Sequence, residues 1–460
     1  MLSKEDLDMK EYELIIIGGG PAGISCATKA YKNGVKNILL LERREFTGGI
    51  LNQCIHDGFG LLSKGKSLTG PEFITELEKE LANTDITIER GAYVSEINYN
   101  KTPYEVEYIS HNAELITCTG KSIVLATGCR ERPYGSLRIP GTRPAGIYSA
   151  GSAQYMMNME NILPGKSVVI LGFGDIGMIM ARRLSIEGAR VKMILGLEMT
   201  GLKRNFKNCV EDFNIPYKKG YTVVKVHGHE HLKGVSIAPV DENMVPDMAK
   251  ETYIPCDTLL VAAGLIPEDD LCPENKKDGV FLCGNVHKIF SLVDYVVEEG
   301  EYTGLKAAAF LNGETNKLSS ELNDYKERLE SQDKTLDTID DCGVTCLKCP
   351  KGCTLYIEEK DDGTISVTGN NCPLGIEYAR SLSECPRLIL TSTVKVKDMD
   401  LCLIPVRSTT TIPKEKVKDI MKLVKDIEID KDTLCGTCII ENACDTGADI
   451  VTCGCLKIGD

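Results

Sequence analysis

At 460 residues, 42% of them hydrophobic and 26% charged, the chain has material for two to four domains with substantial cores. Its formal charge of −14 argues against nucleic acid as a main partner, because phosphate contacts need clustered Lys and Arg. Apolar runs such as residues 14–17 and 38–41 are strand-sized and far too short to span a bilayer. Acidic Glu5 and Asp6 stand where a signal peptide would carry a basic start, so a cytosolic protein with no membrane span is expected.

The first predicted unit is a strand over 12–17, the turn Gly18-Gly19-Gly20-Pro21-Ala22-Gly23, a helix over 24–33 and a strand over 38–42. Glycines there allow a tight bend and close approach of a pyrophosphate, while the helix start offers free N–H groups and a positive dipole end. Glu42 follows Gly23 by 19 residues, where a carboxylate would bond a ribose hydroxyl. A glycine turn without ligand is the plain alternative. The pattern returns in the strand 167–171, the turn glycines Gly172, Gly174 and Gly177, a helix over 178–187 and a strand over 190–195. Glu198 stands two residues past the expected ribose position, now Gly196, and no Arg takes that place. This favours NAD(H) without excluding NADP(H), beside the alternative of a purely structural second unit.

Residues 312–341 carry Leu318, Leu322, Tyr325 and Leu329 at helical spacing and read as a surface helix plus linker. Beyond them the composition shifts. Of the twenty cysteines, eight are scattered over residues 1–341 and twelve crowd into 342–460. In a reducing compartment such crowding points to metal ligation rather than disulfides. Strands are expected over 354–358, 364–368 and 388–394, with an amphipathic helix over 414–425.

Cys346, Cys349, Cys353 and Cys372 follow the spacing C-x2-C-x3-C-x18-C, with Pro after Cys349 and Cys372. Three close thiolates wrap one face of a cubane and a distant fourth closes it, so a [4Fe–4S] cluster is the reading. Zinc is the alternative, although zinc sites favour paired Cys-x-x-Cys or Cys/His sets and no histidine follows His287. Cys435, Cys438, Cys444, Cys453 and Cys455 form a second set, of which four suffice for another cluster; zinc or free thiols are the alternatives. Cys342, Cys385 and Cys402 read as small packing residues.

Together the two glycine turns, Val124-Leu125-Ala126-Thr127-Gly128, Leu260–Gly264 and Gly279–Asn285 resemble the pyridine nucleotide–disulfide oxidoreductase superfamily over the first 315 residues. The resemblance implies an α/β fold of two Rossmann-like dinucleotide-binding domains, followed here by a small C-terminal α+β cysteine-rich iron–sulfur domain. The expected divisions are an FAD domain over 10–150 and 265–315, an inserted NAD(P) domain over 151–264, a helical linker over 316–341 and the cysteine-rich domain over 342–460. It assigns FAD to Gly18, Gly20, Gly23, Glu42, Gly49, Ala126, Thr127, Gly128, Gly284 and Asn285, and NAD to Gly172, Gly174, Gly177 and Glu198. Asn285 departs from the family's usual Asp. The family's active cysteine pair is also missing: Cys54 stands alone after Gly48-Gly49, and no Cys-x-x-Cys lies between Cys118 and Cys283. Cys54 and His56 are the candidate catalytic residues, as ring-tuning or proton-transferring groups, with simple packing as the alternative. His287 is a candidate partner for the flavin's pyrimidine edge.

Residues 48–60, 128–133 and 201–213 resemble a narrower group, the flavoprotein subunits of anaerobic FAD-dependent glycerol-3-phosphate dehydrogenases, related to opine oxidase and hydrogen cyanide synthase subunits. Residues 342–460 are similar to a small cysteine-rich domain that accompanies them. The resemblance implies an oxidoreductase moving electrons between a nicotinamide nucleotide, FAD and iron–sulfur, coupled to a partner dehydrogenase of the glycerol 3-phosphate or hydroxy-acid type or to another carrier. A subunit without nucleotide turnover of its own, and a thiol-based reductase using the C-terminal cysteines, are the rival readings.

Overall fold

The computed structural model describes residues 9–314, 325, 343–359, 365–381, 387–430 and 432–454. Cys342, Cys385, Cys455 and all of the proposed linker helix except Tyr325 lie outside them. Tyr325 itself is buried, its hydroxyl bonded to Glu301 and its ring beneath the Lys29 ammonium. Among the described residues no helix is long and apolar enough to cross a membrane.

β1 (Glu11–Ile17) and β2 (Ile38–Glu42) run parallel and are buried on both faces, as their unbroken Ile/Leu content requires. Between them passes α1 (Pro21–Lys32). The sheet continues from β1 to Leu115–Leu125, then antiparallel through Tyr104–Ile109 and Tyr93–Asn98; Thr87–Arg90 flanks β2. The late strand Val280–Leu282 rejoins this sheet parallel to Leu115–Leu125, so the chain leaves and re-enters one domain.

Within that excursion lies a second parallel sheet. It runs Ile147–Ser149, Thr258–Val261, Ser167–Leu171, Arg190–Gly196, Tyr217–Lys219, and a three-stranded antiparallel sheet of Tyr221–Gly228, Leu232–Pro239 and Thr252–Pro255 stands beside it. Helices α3 (Ala150–Met159) and α4 (Asp175–Ile186) cover the parallel sheet. The two crossing points meet as an antiparallel pair, Cys129–Glu131 with Leu265–Pro267.

The cysteine-rich region has two parts. In the first, Val344–Thr345, Thr354–Glu359 and Ile365–Thr368 form a small antiparallel sheet packed on the helix Pro373–Ser381, which sequence periodicity did not announce. The second is a five-stranded sheet ordered Glu428–Ile429, Thr391–Val396, Met399–Ser408, Ile450–Thr452, Cys438–Ile440. Its helix, Val417–Lys425, is too short to persist alone and forms because Val417, Ile420, Met421 and Val424 bury on that sheet. Each such burial stabilises by about 1.5–3 kcal/mol.

This module is welded to both nucleotide units. Ile186 of α4 belongs to its apolar core. Helix α2 (Gly70–Leu81) opens with a capping box in which Thr69 and Glu72 satisfy each other's backbone N–H, and the remaining Glu72 oxygen meets Arg407 Nε at 3.2 Å. Glu187, at the end of α4, takes Arg183 from its own helix, Lys425 Nζ at 3.1 Å and Ser392 Oγ at 3.2 Å. Burial alone would raise the Glu187 carboxyl, but Arg183 and Lys425 hold it below its usual value of 4.5. Glu187→Gln should therefore lower unfolding free energy by about 1–3 kcal/mol at pH 7. Chemical denaturation should show the gap closing as pH falls below about 4.5 through the depressed pKa, where protonation removes the wild type's advantage.

Candidate functional site

The first glycine turn is built by close backbone approach. Gly18 N donates to Leu41 O at 2.8 Å, and a Cβ at Gly18 would stand 2.3 Å from Ala126 O. A Cβ on Gly23 would lie 1.9 Å from Gly18 O, so glycine there lets α1 press onto the turn. Gly20 differs: nothing lies within 4 Å of where its Cβ would be, and no side chain caps α1 at this residue. Open space thus faces an uncapped helix N-terminus, the shape and charge a pyrophosphate needs. Glu42 is buried behind it, its carboxylate accepting Gly19 N at 2.8 Å and Arg44 N at 2.9 Å. It braces the turn and keeps acceptor capacity for a ribose hydroxyl. Gly48 N donates to Gly19 O, which lays Gly49 against Gly20.

The remaining candidates fall around the same cradle. Ala126 N bonds Ile17 O, Thr127 Oγ1 donates to Glu268 O at 2.7 Å, and Gly128 leaves open space where a Cβ would be. Asn285 is used internally: its Nδ2 reaches Cys129 Sγ at 3.5 Å and its Oδ1 accepts Phe290 N at 3.1 Å. The imidazole of His287 turns its Nδ1 to Glu299.

The second turn repeats the geometry. A Cβ at Gly172 would stand 2.1 Å from Ala262 O, one at Gly177 2.3 Å from Gly172 O, and Gly174 precedes α4 without a side-chain cap. Glu198 is exposed beyond the strand Arg190–Gly196. Asp175, which spacing did not single out, is half-buried and accepts Leu202 N at 2.8 Å and Asn205 Nδ2 at 2.7 Å, fixing the segment that follows Glu198.

Residues 12–290 match the family model for pyridine nucleotide-disulphide oxidoreductases. The chain belongs to that family. The open cradle at Gly20 fits the pyrophosphate of a dinucleotide. Residues 373–453 match a second model, described as a protein of unknown function, DUF1667. The chain is 27% identical over 276 residues to hydrogen cyanide synthase subunit HcnB of Pseudomonas protegens, covering 56% of this chain and 57% of that protein. It is 25% identical over 281 residues to an opine oxidase subunit of Agrobacterium tumefaciens (56% and 54%), and 22% identical over 270 residues to an NADH dehydrogenase of Bacillus subtilis (58% and 49%). It thus spans about half the length of these curated relatives. In fold it is similar to thioredoxin reductase of T. acidophilum, with a TM-score of 0.53 at 20% identity over 65% of this chain and 98% of that one.

Cys54 and His56, the candidate catalytic residues, lie just beyond the first cradle. Cys54 is buried and His56 half-buried; desolvation pushes the Cys54 thiol up to about 12 and the His56 imidazole down to about 4, so both are neutral at pH 7. Cys54 Sγ points at Gln154 Oε1, 3.6 Å away. His56 lies 4.8 Å from the Phe59 ring and lines a cavity of about 20 Å³, room for one water and no organic substrate. Beside them sits Asp57, 3.9 Å from Arg182 and 3.7 Å from Arg204, all nearly buried. Burial alone would raise Asp57, but Arg204, Arg182 and His56 hold it below the usual carboxylate range.

The first cysteine set is folded by its own hairpin: Cys346 N bonds Cys353 O at 2.8 Å, and Gly352 adopts a φ of 55°. Burial raises the Cys346 thiol, and Cys349, Cys353 and Cys372 each raise it further, so all four sulfurs lie within electrostatic reach. Among the described residues no three Cys, His, Asp or Glu side chains close around a single ion. Gly352 abuts Lys203 and Arg204 of the second nucleotide unit. In the second set the described cysteines stand in different surroundings. Cys435 and Cys453 are neighbours, Cys438 is exposed, and Cys444 packs on the C-terminal apolar core.

Two outcomes check this site. Gly20→Val should fold normally but purify with little flavin absorbance per chain, whereas Gly23→Ala should destabilise the fold itself through its 1.9 Å clash. Cys54 should resist iodoacetamide in the native protein at pH 8, as read by peptide mass spectrometry, while exposed Cys438 reacts.

Proposed function

We propose that the protein is the flavoprotein component of a dehydrogenase system, exchanging electrons between NAD(H), FAD and a [4Fe–4S] cluster held by Cys346, Cys349, Cys353 and Cys372. Its partner would be a dehydrogenase of the glycerol 3-phosphate or hydroxy-acid type, or another electron carrier. The flavin, when bound, supplies the conversion between hydride pairs and single electrons. The chain's own residues supply placement. Gly18, Gly20 and Gly23 with Glu42 hold one nucleotide; Gly172, Gly174 and Gly177, with Glu198 at the ribose end, hold the other.

One observation carries the reading. The cysteine hairpin touches Lys203 and the backbone of Arg204, and the Arg204 side chain is buried against Asp57 and Gly58, in the segment that follows Gly48–Gly49 of the flavin cradle. A thiolate loop separated from the flavin segment by a single buried side chain is where an electron exit belongs. The lack of a cysteine pair beside the flavin supports the same route, as do relatives described as subunits of a synthase and an oxidase.

Anaerobically purified protein should contain about four iron and four sulfide per chain, and NADH should bleach the flavin and then the cluster absorbance in stopped-flow. Cys349→Ser should lose the iron while retaining FAD and NADH-driven flavin bleaching. Protein that is yellow, iron-free and silent in electron paramagnetic resonance after reduction would sink the proposal and leave the flavoprotein assignment standing.

A further inference from the structure

Glu299 lies in the long helix Val293–Leu311 and is only 4% exposed. Buried carboxylates are costly unless every oxygen finds a donor. Here Oε2 accepts the backbone N–H of Gly284 at 2.5 Å and Oε1 meets His287 Nδ1 at 2.5 Å. These two contacts bracket the turn Gly284–Val286, which follows the late strand Val280–Leu282 of the flavin sheet. Gly284 has a φ of 71°, in the left-handed region, so its peptide is held in a conformation that its neighbours must maintain.

The position of Glu299 is itself set by packing. The next residue, Gly300, lets the long helix cross α1 in backbone contact: a Cβ there would lie 2.4 Å from Ala22 O, beside the pyrophosphate turn. The helix that touches α1 therefore also delivers the carboxylate that fixes the late turn. The His287 side chain is 58% exposed, and its hydrogen bond to Glu299 raises its pKa while Lys306 and Lys288 oppose this. Lys306, itself facing Glu299 and Lys276, is lowered chiefly by burial.

We propose that Glu299, with His287 as its counter-ion, is the positioning residue of the flavin site: it holds the turn Gly284–Val286 in its flavin-binding shape and so sets the affinity for FAD. Because the His287 pKa is raised, the charged pair is complete below the ordinary value of 6.5 and is lost as pH rises through the raised value. FAD should accordingly bind more tightly at pH 6 than at pH 9.

The test is titration of the deflavinated full chain with FAD, followed by quenching of flavin fluorescence from pH 6 to 9. Glu299→Gln keeps an acceptor for Gly284 N–H but removes the charge; it should weaken FAD binding about tenfold at pH 6, with the difference shrinking towards pH 9. His287→Gln, at an exposed site that cannot compromise the core, should give the same loss and the same flattening. Affinity equal to wild type across the range in either variant, or a loss by the same factor at every pH, overturns the proposal.

Discussion

Three parts of this chain meet at one buried set of charges, Asp57 between Arg182 and Arg204. Asp57 follows the first glycine turn and Gly48–Gly49 in sequence, Arg182 belongs to α4 of the second glycine-turn unit, and Arg204 lies beneath the cysteine hairpin. Arg182 also donates to Ile389 O, at the start of the C-terminal sheet. Buried charges tolerate little misplacement, since an unpaired one costs several kcal/mol. The relative placement of the segment around Asp57, helix α4 and the cysteine hairpin is thereby tied to one electrostatic constraint.

Around that constraint the rest of the molecule divides its labour. Glycine turns let backbone meet backbone where a nucleotide must approach, and carboxylates brace those turns from behind: Glu42 at the first, Glu299 at the late one. Desolvation keeps Cys54 and His56, the side chains that looked reactive by type, in their neutral forms.

The C-terminal module is attached through polar contacts whose partners lie far away in sequence. Glu72 serves α2 as a cap and the module as an anchor through Arg407. Glu187 joins α4 to Ser392 and Lys425. A flexibly tethered domain would show no such shared residues, so the module is built into the oxidoreductase body.

Much of this was readable from local pattern. A strand followed by spaced glycines and a helix has few folded solutions, so both strand–turn–helix units, their order and the close backbone turns at Gly18, Gly23, Gly172 and Gly177 follow from the sequence itself. Glu42 was legible because strand length fixes its distance from the turn. What local pattern could not supply was burial and long-range pairing. The neutral state of Cys54 and His56, the service of Asp175 and Glu299 to loops outside their own helices, and the divergence of Cys438 and Cys444 all depend on which segments pack together. Those were decided by tertiary structure, because desolvation and Coulomb interaction act through space and leave no period in the chain.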